Sequence, residues 1–81
     1  MTELREKQTA PAWDLRGLRQ RAGLTQGAVA ERVGTGIPAV CLWEQGSAYP
    51  SIDKLPALAS ALDTPMDVLV GALIRTRRAG P

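Results

Sequence analysis

Apolar positions in this chain recur at helical spacing in five short runs, and none alternates apolar with polar residues as a half-buried strand would. In the first run Leu15, Leu18 and Ala22 form one stripe. Pro11 suits an opening turn and Gly23 an end, so the spacing predicts a helix over 11–22. A second helix is predicted over 26–33, with Val29, Ala30 and Val33 on one side and Thr25 placed to cap it. Gly34-Thr35-Gly36 then reads as a turn, Gly34 supplying a left-handed backbone that most side chains resist. A third helix over 37–45 points Val40 and Trp43 inward, and small Ala30 lets it cross the second closely. Pro38 is tolerable there because amides of a first turn have no partner within the helix.

Residues 46–50 read as a loop. Ser51 is expected to cap a fourth helix whose stripe is Ile52, Leu55, Leu58, Ala59 and Leu62, with an irregularity near Pro56. Thr64 is expected to cap a fifth, opened by Pro65, with Asp67 favourable near its positive end. Met66, Leu69, Val70, Leu73 and Ile74 give this helix a wide apolar face. The expected organisation is a flexible arm over 1–10, one domain over 11–75, and a fraying basic tail over 76–81, with fraying from Arg75 onward. The expected fold is an all-α, compact five-helix domain.

Composition narrows the chemistry. A chain of 81 residues makes one domain near the lower limit for independent folding. The single Cys41 excludes an internal disulfide, and the absence of histidine removes the usual zinc ligands and both Ser-His-Asp and Cys-His catalysis. No GxxxxGK loop is present, Gly34-x-Gly36 follows no strand, and the carboxylates are scattered. No metal, cofactor or enzymatic activity is expected. The opening MTELREKQTAP carries no apolar run and no segment reaches membrane-spanning length, so a soluble cytoplasmic protein is expected. The net charge of +2 is mild, but Arg16, Arg19 and Arg21 cluster on the first helix and Arg75, Arg77 and Arg78 near the end. Between Gly34 and Asp53 there is no Lys or Arg, so charge for a phosphate backbone has to come from the flanks.

The segments LRGLRQRAGLTQGAVAERVG, VxxWEQG at 40–46, YPSIDKLPALASAL and DTPMDVLVG resemble the phage-repressor and Cro-type (XRE-like) helix-turn-helix family. The resemblance implies a lambda-repressor-like fold, a bacterial or phage origin, and repression by a homodimer on a palindromic double-stranded DNA operator. It implies that Arg19 and Glu44 form a fold-locking ion pair. The DNA-facing set then falls on Thr25 and Gln26, on Gly36, Ile37, Pro38, Ala39, Cys41, Leu42 and Gln45, and on Ser47 and Tyr49. Gln26 matches a position that contacts phosphate, and its bland alternative is a solvated glutamine at a helix start.

The reading helix departs from such a family in lacking polar side chains. Bidentate base recognition needs Arg, Lys, Asn or Gln, and only Gln45, late in the helix, qualifies. Two readings stand. Ile37, Ala39 and Leu42 could meet thymine methyl groups, with DNA shape adding specificity and Gln26, Ser47 and Tyr49 on phosphates. Alternatively Ile37, Pro38, Cys41 and Leu42 form an apolar patch for a protein partner. Singly, Ile37 could tuck into the core beside Val40, and Cys41 could be an inert small residue. On the fifth helix Val70 and Ile74 are candidates for a homodimer interface, or else cover the first helix near Trp13.

Overall fold

The computed structural model describes residues 13–79. Its helices are α1 (Leu15–Arg21), α2 (Gln26–Val33), α3 (Ile37–Gln45), α4 (Leu55–Ala61) and α5 (Met66–Ala79), with a 3-10 turn at Ile52–Lys54. No strand occurs among the described residues, and the expected all-α, five-helix fold is the one observed.

Local chemistry sets the helix ends. Asp14, in extended backbone, accepts a hydrogen bond of 2.8 Å from the Gly17 amide, so α1 starts at Leu15 rather than at Pro11. Pro11 itself, like the expected arm over 1–10, lies outside the described residues. Thr25 caps α2 as expected, its hydroxyl accepting from the Ala28 amide at 3.0 Å. Gly17 has a different reason to lack a side chain: a Cβ there would lie 2.6 Å from Trp13 Cε3. The indole can therefore approach the first turn of α1 closely.

The core draws on every helix. Leu18, Val29, Val40, Leu58, Leu62 and Leu69 are almost wholly buried, each removing about 1.5–3 kcal/mol worth of side chain from water. α2 packs against α3 and α4, while α5 closes over α1, α3 and α4. No single described helix is long and apolar enough to cross a membrane.

Two expected stripe residues and two expected caps are corrected. Ile52 is 83% exposed instead of lying on the buried stripe. The chain there winds as a 3-10 turn, which advances by three residues per turn rather than 3.6 and rotates Ile52 off the face that Leu58 and Leu62 share. Ser51 holds the capping position of that turn but makes no side-chain cap bond. Its hydroxyl bonds the Asp53 carboxylate, and this bond, followed by Asp53's own backbone amide, holds that carboxyl below its ordinary range. Thr64 does not cap α5: its hydroxyl is buried without a partner, and the Pro65 carbonyl accepts the Leu69 amide at 3.0 Å. Met66 is 40% exposed, and the buried positions of α5 are Leu69, Ala72, Leu73 and Thr76.

Over 75–79 the expected fraying does not occur, for α5 runs to Ala79, and residues 80–81 lie outside the described residues. Arg75 Nε and Nη2 both donate to the Trp13 carbonyl, at 3.1 and 3.0 Å, and the Thr76 hydroxyl bonds the first amide of α1. These bonds tie the last turns of α5 to the start of α1.

Candidate nucleic-acid interface

The turn between α2 and α3 is built on the left-handed backbone of Gly34, at φ +82°. The amides of Gly34 and Thr35 close on the Ala30 carbonyl at 2.9 and 2.8 Å, so the carbonyl end of α2 is satisfied internally. Gly36 is extended and opens α3 without a side-chain cap. At the far end Gly46, at φ +80°, lets the Ser47 amide reach back to the Leu42 carbonyl at 3.0 Å. α3 is thus held at both ends as a separate nine-residue cylinder lying across α2.

Its inner face is Val40 and Trp43, both buried, with Ala39 packed against the edge of the core. Ala39 and the half-buried Cys41 are the α3 candidates that the fold turns away from the outer face. The outer face exposes Gly36, Ile37, Pro38, Leu42 and Gln45. Ile37 is 49% and Leu42 45% exposed. Ile37 does not enter the core: it leans on α2, where a Cβ at Gly27 would sit 3.5 Å from its Cδ1.

Behind this face runs a polar chain. The Arg19 guanidinium grips Glu44 through Nε to Oε2 at 2.5 Å and Nη2 to Oε1 at 3.2 Å, and donates from Nη1 to the Leu24 carbonyl at 2.9 Å. Gln26 Nε2 donates to Glu44 Oε1 at 3.0 Å, and the half-buried Cys41 thiol donates to Gln26 Oε1 at 3.3 Å. Only 1% of the Glu44 side chain is accessible. One carboxylate therefore joins α1, α2 and α3, and leaves no negative charge on the outer face of α3. Gln26 is not a free solvated glutamine. Both ends of its amide are engaged, leaving one N–H available.

A family model for the helix-turn-helix domain matches residues 12–73. The chain belongs to this family. No curated protein and no solved structure matches it. A DNA-binding regulator is the class of protein to which such a helix-turn-helix points, its second helix being the element that enters the major groove.

Seen as a helix-turn-helix, the remaining candidates divide between two regions. Thr25 and Ser47 are exposed next to α2 and α3, at the start of one and just past the end of the other. Tyr49, 49% exposed, stands beside α5, with the Arg77 guanidinium 4.9 Å from its ring centroid. Its ring also lines an apolar groove with Pro50, Ile52, Leu55, Val70, Leu73 and Ile74. Val70 and Ile74 are exposed there at 37% and 42%.

Two residues escaped the pattern of the sequence. Ile52 joins Val70 and Ile74 on the groove only because of the 3-10 turn. Arg16 is 60% exposed with Nε 3.6 Å from Glu44 Oε1, so it stands at the edge of α3, where the local sequence has no cation. Its spacing of three from Arg19 put the two on one face of α1, and that was the signal available.

Proposed function

We propose that this protein is a sequence-specific regulator of transcription that binds double-stranded DNA as a homodimer on a palindromic operator and represses. The observation that carries the reading is the presentation of α3: locked to α2 at Gly34, exposed along Ile37, Pro38, Leu42 and Gln45, and freed of negative charge by the Arg19–Glu44 pair. A duplex phosphate backbone tolerates such a helix, whereas an exposed carboxylate at Glu44 would repel it. Gln26, Ser47 and the cation Arg16 supply backbone contacts around the groove, and Thr25 presents the amino end of α2. Val70, Ile74 and Ile52 form the face on which two copies meet. Dimers of this kind set their reading helices about one DNA turn apart.

A second reading has its own support. Ile37 and Leu42 expose hydrocarbon on a helix with few polar groups, which suits a protein partner on the same scaffold. Gel retardation with a random duplex pool at low salt separates the two. Enrichment of a short palindrome is the expected result, and no retention at low salt sinks the DNA reading.

A further inference from the structure

We infer that α3 reads its operator through the C5-methyl groups of thymines, with Ile37, Pro38 and Leu42 as the contacting side chains. This inference rests on the DNA-binding reading above and specifies what that site recognises. From Gly36 to Glu44 no side chain on the outer face offers a free hydrogen-bonding group. Ile37, Pro38 and Leu42 are apolar, the Cys41 thiol is donated to Gln26, and the Glu44 carboxylate is enclosed by Arg19 and Gln26. Gln45 is the first exposed amide, at the carboxyl end of the helix.

In the major groove each base pair presents donors and acceptors, and thymine alone adds a methyl group. A helix face with no donors and no acceptors gains nothing from guanine or adenine edges and strands their polar groups against hydrocarbon. Contact with a methyl group buries apolar surface on both sides. Pro38 and Leu42 lie four residues apart, on one side of the helix. Pro38 and Leu42 are separated by roughly 6 Å along the axis, about two base-pair steps, and Ile37, about 140° round the helix from Leu42, stands at the α2 edge of this face. The expected target is therefore a half-site with thymines grouped within about three adjacent base pairs.

The occupant is DNA rather than protein because of charge. α3 exposes no carboxylate, and the exposed Arg16 guanidinium stands beside it at the Glu44 end. That cation is mostly in water beside α3, where it suits a phosphate backbone better than an apolar protein groove.

The test uses a duplex selected from a random pool, with binding followed by fluorescence anisotropy. Each half-site thymine is replaced in turn by deoxyuridine, which removes the methyl and leaves every hydrogen-bonding group in place. The expected result is roughly four-fold weaker binding at each contacted thymine. In Leu42→Ala or Ile37→Ala, both at exposed positions, the thymine–uracil difference at the matching base pair should vanish. If the duplex binds and uracil makes no difference, methyl reading is overturned while DNA binding stands. If uracil weakens binding equally in the variants, the effect is DNA shape and the contact is overturned. If no duplex is retained at low salt, the DNA-binding reading falls first and this inference with it.

Discussion

The Thr76 hydroxyl accepts a hydrogen bond of 2.9 Å from the Leu15 amide and donates one of 2.8 Å to the Ala72 carbonyl. Leu15 is the first residue of α1, so its amide has no partner within the helix. The last turns of α5 supply one. Both residues are buried, and water cannot replace the bond. Thr76→Val keeps the shape and removes the hydroxyl, leaving a buried donor unpaired. The expected loss is about 1–3 kcal/mol in urea denaturation, with Thr76→Ser close to the parent. An unchanged midpoint in Thr76→Val would show that the bond does not stabilise the fold.

The Arg19–Glu44 pair is a different kind of tie. With 13% of the Arg19 and 1% of the Glu44 side chain accessible, removing one partner strands the other. Arg19→Met is expected to cost about 3 kcal/mol, near the lower end of the range for buried pairs because Arg19 retains some access to water. Glu44→Leu additionally unseats Gln26. The double variant should be less destabilised than the sum of the two. Strict additivity in a double-mutant cycle would mean that the pair is not coupled.

Arg16 should behave in the opposite way. Its side chain is mostly in water and its approach to Glu44 is long, so Arg16→Ala should change stability by less than about 1 kcal/mol. Its effect should fall on DNA. Affinity should drop to a similar degree for specific and random duplexes, and the slope of log affinity against log salt should shrink by about 1. Measured salt slopes identical in the two proteins would remove Arg16 from the interface.

Much of this was readable in the chain. The i, i+3, i+4 spacing of Leu15, Leu18, Val29, Val33, Val40 and Trp43 carries the first three helices directly, and Gly34 carries the turn. What escaped depended on partners far along the sequence. The helical state of residues 75–79 follows from Trp13 and Leu15, more than sixty positions upstream, and no local propensity encodes it. Ile52 was misplaced because its spacing from Leu55 fits a helical stripe, whereas the backbone there winds to a shorter period. On α3 the exposed face was visible, but the engagement of Gln26 and Cys41 with each other was not, because their side chains meet only once the helices cross.

α4 ends without the glycine found after α1, α2 and α3. Asp63 takes the left-handed position at φ +53°, while the Thr64 amide closes on the Ala59 carbonyl at 3.0 Å. An L side chain in that region costs about 1–2 kcal/mol, somewhat less for aspartate. Asp63→Gly removes the strain and adds some freedom to the unfolded chain. A net gain of about 0.5–1 kcal/mol is expected in thermal denaturation. A loss would show that the Asp63 side chain does something at this turn beyond tolerating it.

The α5 face bears on assembly. Val70, Ile74 and Ile52 expose hydrocarbon around one groove, and Tyr49 beneath Arg77 forms its rim. None of the three aliphatic side chains is buried in the core, so a charge at any of them should leave the fold intact. In a dimer built on this face the same side chain would meet its symmetry mate or a neighbour of it, and the charge would be desolvated twice. Ile74→Asp should therefore give a helical, cooperatively unfolding monomer by sedimentation equilibrium, where the parent protein is expected to sediment as the proposed dimer. Binding to a palindromic duplex should weaken far more than binding to a single half-site, because only the linkage between the two copies is lost. If Ile74→Asp still sediments as a dimer, the two copies meet elsewhere and the groove is free of that role.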